Sequence, residues 1–137
     1  DIPLTYKLII DSGSIAVTDK HLYYYLQRDD GICRSKFNKS KESLIENINE
    51  VRIYIKDNIP ELNIYVDLFY IRNLCNFLLQ MPLNYENREK YITEYKNIWK
   101  FAYKSKLISK QEKIKLILVR FNLNFIYFAI KKVRQLN

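Results

Sequence analysis

Few side chains in this sequence have the types and spacing that covalent chemistry needs. Asp29 and Asp30 stand side by side, and a carboxylate pair can divide acid and base work between its members. The Gly31 that follows makes a turn the simpler reading. Cys33 and Cys75 lie far apart with no partnering motif, and His21 is the sole histidine. A zinc centre is therefore excluded, since a structural one takes about four Cys or His ligands. The two cysteines read as buried or idle thiols, which suits the cytosol, or as one Cys33–Cys75 disulfide. Neither Gly13 nor Gly31 has a second glycine at the spacing of a phosphate-cradling loop, and no nucleophile elbow, Cys–His pair or D-x-D carboxylate motif occurs.

Charge is the stronger signal. The net charge is +8, and from Lys96 to Asn137 eleven basic residues face one acid, Glu112. That stretch holds +10 and the remainder −2. Lys96, Lys100 and Lys104 recur every fourth residue and so share one helix face, and Lys106, Lys110, Lys113 and Lys115 extend the strip. Beyond them Phe121, Phe125, Ile126 and Phe128 set apolar bulk beside Lys131, Lys132 and Arg134, a combination suited to a headgroup layer. The asymmetry points to an anionic partner, either phospholipid headgroups or nucleic acid, with nucleic acid the less favoured. The alternative is a solvated lysine face over aromatics buried in the fold.

The elements that would carry these groups follow from periodicity. Pro3 to Ile10 reads as a short helix, with Asp1 as N-cap, Pro3 in the first turn and Ser12-Gly13 as the stop. Ser14 to Arg28 is β-branched and aromatic, broken at Asp19-Lys20, and predicts two short strands confined to Ile15–Arg28. A turn at residues 29–31 and an extended loop to Phe37 follow. From Ser40 the period changes. Leu44, Ile48, Val51 and Ile55 form one helical stripe, and the stretch from Glu61 to Gln80 is apolar on nearly every side, as a helix central to its bundle would be. After Pro82 a further helix carries Tyr91, Tyr95, Ile98 and Ala102 with Ile92 and Trp99 alongside. Ser109-Lys110-Gln111-Glu112 has the form of a capping box, so another helix starts at about Lys110 and breaks near Asn122.

The expected fold is mainly α, a small strand remnant over residues 1–37 followed by a bundle of about four to five helices over residues 38–137. With 137 residues, 48% apolar and 15% aromatic, the chain can fold. No apolar run approaches the roughly 20 residues of a membrane-spanning helix. No secretory leader is visible in the residues present. The chain opens on Asp1 and its only methionine is Met81, which leads us to expect an excised or processed piece of a longer polypeptide.

The first 37 residues carry a resemblance. Asp1-Ile2-Pro3-Leu4-Thr5-Tyr6-Lys7-Leu8-Ile9, then Ile15-Ala16-Val17-Thr18-Asp19, then Leu22-Tyr23-Tyr24-Tyr25-Leu26-Gln27-Arg28 and Ile32-Cys33-Arg34-Ser35-Lys36-Phe37 resemble the closing part of the catalytic domain in bacterial family-two glycosyltransferases of the inverting GT-A type. Those enzymes typically read E-D, short helix, strand, D-x-x-L-Y-Y-Y-R-Q-R, S-I-x-R-S-K-F here. The order and spacing carry the match, with Leu26 where an arginine is common and Gly31 where a serine is common. The remaining residues resemble the variable helical tails of such enzymes.

The resemblance implies that Asp1 is the catalytic base, taking the proton of the acceptor hydroxyl as it attacks the anomeric carbon of a nucleotide sugar. An ionised carboxylate at a helix N-terminus suits that task. Gln27, Arg28 and Arg34 would bind the donor diphosphate or the acceptor, a guanidinium fork matching phosphate oxygens. The nucleotide-binding half and the ligands of a divalent Mg or Mn cation would precede Asp1, so the fragment alone is expected to need no cofactor and to be inactive. The parent would act at the cytoplasmic face of a membrane on a glycan or lipid-linked acceptor. A rival expectation is a non-enzymatic helical module whose basic tail, Lys96, Lys100, Lys104, Lys110 and Lys113 foremost, binds a partner protein or RNA. Self-association through residues 22–26 or the tail is a further expectation.

Overall fold

The computed structural model describes residues 2–21, 37–127 and 129. Five α-helices follow in order: α1 (Ile2–Ser12), α2 (Ser40–Asn58), α3 (Asn63–Gln80), α4 (Arg88–Lys104) and α5 (Lys110–Arg120). A 3₁₀ turn at Pro60–Leu62 joins α2 to α3, and the chain returns to helix over 124–127. The mainly helical architecture is as the periodicity implies. The strand remnant is not. No strand occurs among the described residues, and the segment expected to be the first one leaves Ile15 62% and Val17 93% exposed. A β-branched side chain favours a strand only where neighbours make a half-buried pleated surface, and among the described residues none does so here. The second expected strand, from Leu22 to Arg28, lies outside the described residues, as does Cys33.

Helix α3 forms the centre, packed by α2 on one side and by α4 and α5 on the others. It buries Val66, Leu68, Tyr70, Ile71, Leu74, Cys75, Phe77, Leu78 and Leu79, each large apolar side chain contributing about 1.5–3 kcal/mol. Cys75 is a buried free thiol. From α2 come Ile45, Ile48, Val51 and Ile55, and from α4 Tyr91, Ile92, Tyr95 and Ala102. The first rung of the α2 stripe is Ile45 and not Leu44, which is 45% exposed against 2% for its neighbour.

Helix α1 sits on α2. Tyr6 and Ile10 pack against a satellite cluster of Val51, Ile55 and Val66 with Tyr54 and Ile59, and the Tyr6 and Tyr54 rings lie 5.3 Å apart. It ends at Gly13, whose φ of +65° is the left-handed conformation that glycine adopts without strain.

The end of α3 is finished by side chains from afar. The buried Arg88 Nη1 donates to the Leu78 and Met81 carbonyls at 3.1 Å each, and Asn124 Nδ2 donates to the same Leu78 carbonyl at 3.0 Å. They satisfy acceptors that the end of α3 leaves open. Helix α5 stops in a Schellman arrangement: Leu123 N–H bonds the Leu118 carbonyl at 2.8 Å, and Asn122 N–H bonds that of Val119 at 3.2 Å. Asn122 takes φ +55°, a conformation asparagine tolerates, so the break expected there is real.

Candidate functional site

The basic stretch occupies α4, α5 and the turn between them. Lys96, Lys100 and Lys104 are exposed, as four-residue spacing on an amphipathic helix dictates, and Lys106 in the turn and Lys110 at the head of α5 are exposed as well. Lys113 is half-buried because its stem lies along α4, with Nζ 5.6 Å from the centre of the Tyr103 ring. Arg120 lies over Trp99 at 5.9 Å and over Phe121 at 5.7 Å, and Trp99 and Tyr103, one turn apart on α4, have ring centres 5.9 Å apart. A seam of alternating cations and rings therefore runs between the two helices. The charge pattern alone marks the lysines but not Arg120, Trp99 or Tyr103. The four-residue step from Trp99 to Tyr103 was the available signal, masked because a tryptophan at a helical spacing reads first as core.

Lys115 leaves the strip. Its Nζ reaches Asn76 Oδ1 on α3 at 3.3 Å and lies 5.9 Å from the Tyr127 ring, so it belongs to the inner side of α5. Glu112, the one acid from Lys96 onward, is also turned inward. Its carboxylate accepts from the Ser109 N–H at 2.8 Å while its own N–H donates to Ser109 Oγ at 3.3 Å, the capping box expected from the sequence. Its second oxygen lies 2.8 Å from Arg72 Nε. Partial burial raises the Glu112 carboxyl, but Ser109 and Arg72 outweigh that and hold it below its ordinary value. Phe121 is 62% and Phe125 67% exposed, and Ile114 55%, so these side chains lie outside the bundle and not within it; Ile126 is half-buried. Phe128, Lys131, Lys132 and Arg134 lie outside the described residues.

Asp1, Gln27, Arg28 and Arg34 likewise lie outside the described residues. What the structure places is the helix that begins directly after Asp1, held on α2 by Tyr6 and Ile10. Among the described residues no three His, Cys, Asp or Glu side chains come together as metal ligands. No helix among them is long and apolar enough to cross a membrane.

Two other places could do chemistry. A small cleft of about 50 Å³ between α3 and α5 is lined by Arg72, Cys75, Asn76 and Glu112. Burial pushes the Cys75 thiol up to about 12, so the sulfur stays protonated and unreactive at neutral pH. An open groove at the head of α4 is walled by Tyr85, Glu86, Arg88, Glu89, Lys96 and Asn122. Its two cations and two carboxylates balance, and it selects no sign of ligand. The α4–α5 seam gathers cations from Lys96 onward with no carboxylate of that stretch facing them. No protein family, characterised protein or solved structure was found to match this chain.

Proposed function

We propose that this chain is the C-terminal part of an inverting, sugar-nucleotide-dependent glycosyltransferase, with residues 1–37 closing the catalytic domain and the helical bundle acting as its buttress. The reading rests on the order and spacing of the motifs in residues 1–37. The observation that carries it furthest is the placement of α1. The resemblance implies a short helix directly after the base, and a helix at that position, α1, supports the reading by packing on the bundle through Tyr6 and Ile10.

In this mechanism the Asp1 carboxylate accepts the acceptor hydroxyl proton while the oxygen attacks the anomeric carbon from the face opposite the diphosphate. The glycosidic bond forms as the bond to the diphosphate breaks, and the electron pair leaves with the phosphate oxygen. Arg28 and Arg34 would bind those oxygens as the charge develops. The bundle contributes position. A base displaced by an ångström loses much of its effect, and packing of α1 on α2 restricts such movement. The acceptor would be a cell-surface or capsular glycan, carried on lipid at the cytoplasmic face of the membrane.

The test is Asp1→Asn in the intact enzyme, which removes the base and keeps its shape. Turnover should fall by about 10²- to 10⁴-fold while nucleotide-sugar binding is retained. Near-normal turnover would remove the base assignment.

A further inference from the structure

The cation–ring distances trace one continuous patch, from Lys113 to Tyr103, to Trp99, to Arg120 and on to Phe121. On α5 the exposed Lys110, Ile114 and Phe121 share a face, and the exposed Lys106 and Leu107 continue it into the turn. The patch therefore mixes cations with aliphatic and aromatic groups that water does not favour. Glu112 is committed to Ser109 and Arg72 on the far side of α5. No carboxylate from Lys96 onward is left to neutralise the patch from within.

Charge selects an anionic occupant, and the apolar groups select its kind. A polyanion such as RNA would use the cations and stack its bases on the rings. It has no use for Ile114 and Leu107, which a bilayer accommodates at the boundary between headgroups and acyl chains. We propose that the α4–α5 seam docks flat on an anionic lipid bilayer, with Ile114 and Phe121 entering the headgroup boundary and Lys110, Lys113 and Arg120 meeting lipid phosphates. This stands whether or not the chain belongs to a glycosyltransferase. Each engaged cation strengthens binding about 5-fold, so the three give about 100-fold over a neutral face.

Trp99 is the only tryptophan of the chain and lies inside the patch, so its fluorescence reports docking without a label. The full chain is titrated with phosphatidylglycerol–phosphatidylcholine vesicles and with phosphatidylcholine vesicles alone. With the anionic vesicles the emission should shift to the blue, bromine-labelled lipid should quench it, and both effects should reverse in high salt. Lys110→Gln with Lys113→Gln should weaken binding about 25-fold, and Ile114→Ser with Phe121→Ser at least about 10-fold. Ile53→Ser, at an exposed apolar position on α2, should leave it unchanged. Circular dichroism compares the fold of each variant, and lipid quenching of the unaltered protein decides the matter if one misfolds. Absence of binding to anionic vesicles at low salt, binding indifferent to the α5 variants, or tight RNA binding in its place would each overturn the proposal.

Discussion

The two seams on either side of α3 handle positive charge in opposite ways. Between α2 and α3, Arg52 Nε and Lys56 Nζ meet Asp67 Oδ1 at 2.6 and 2.9 Å, and the Arg52 guanidinium lies 4.8 Å from the centre of the Tyr70 ring. Between α4 and α5, Lys113 and Arg120 meet rings and no carboxylate. The same cation–ring contact thus occurs in both, and what differs is the acid. Where Asp67 takes both cations, the seam meets its charge in part from within; where Glu112 has been drawn to α3, the seam keeps no carboxylate of its own and its excess is open to an outside anion.

The largest effect that would break this comparison comes from reversing the acids. Asp67→Lys should place three cations together and lower stability by about 2 kcal/mol. Lys113→Glu on the other seam should change it by no more than about 0.5 kcal/mol. Equal losses in chemical denaturation would mean that the α4–α5 cations are as structurally committed as those of α2–α3. A smaller effect sharpens the contrast by its salt dependence. Tyr95 Oη donates to the buried Leu116 carbonyl at 2.6 Å, an uncharged link from α4 to α5. Tyr95→Phe should cost about 1 kcal/mol, and the loss should be the same in low and high salt, whereas the Asp67→Lys loss should shrink as salt rises.

The smallest effect is in pH. Partial burial raises the Asp67 carboxyl, but Arg52 and Lys56 overcome this and hold it below its ordinary 3.8, and Glu112 is likewise held below its ordinary 4.5. Groups depressed in the folded state stabilise it fully above those ordinary values, and the contribution drains away as pH falls through the lower folded values. Both groups are partly solvated, so each contributes under about 1 kcal/mol. Thermal unfolding should be flat from neutrality to about pH 5 and fall below about pH 4. Asp67→Asn and Glu112→Gln should each flatten that fall by part.

Local signals were the legible ones. Ser109 and Glu112 announce their cap because both partners lie within one turn, and Asn122 marks its break because few residues accept positive φ. The central place of α3 was legible because a helix apolar all round has nowhere else to go. Leu44 against Ile45 was not, since both are apolar and either frame repeats at three and four; only the direction of α3 decides. Ile15 and Val17 carry strand propensity, yet propensity needs a pairing neighbour, which is a fact of tertiary structure. For the candidate interface the lysines were legible and their division was not. Lys113 and Lys115 are two apart in sequence and face opposite sides of α5, and the inward turn of Glu112 depends on Arg72, forty residues away in the chain.

The shared acceptor at the end of α3 has a dynamic consequence. Arg88 at the head of α4 and Asn124 beyond the end of α5 both close on the Leu78 carbonyl, so the stretch from one to the other is clasped at its two ends to a single backbone atom. Fraying from either side must release a buried donor before any core side chain moves. Amide hydrogens of α4 and α5 should therefore exchange with deuterium as one cooperative block, while those of α1, which packs on the smaller satellite cluster, exchange ahead of it.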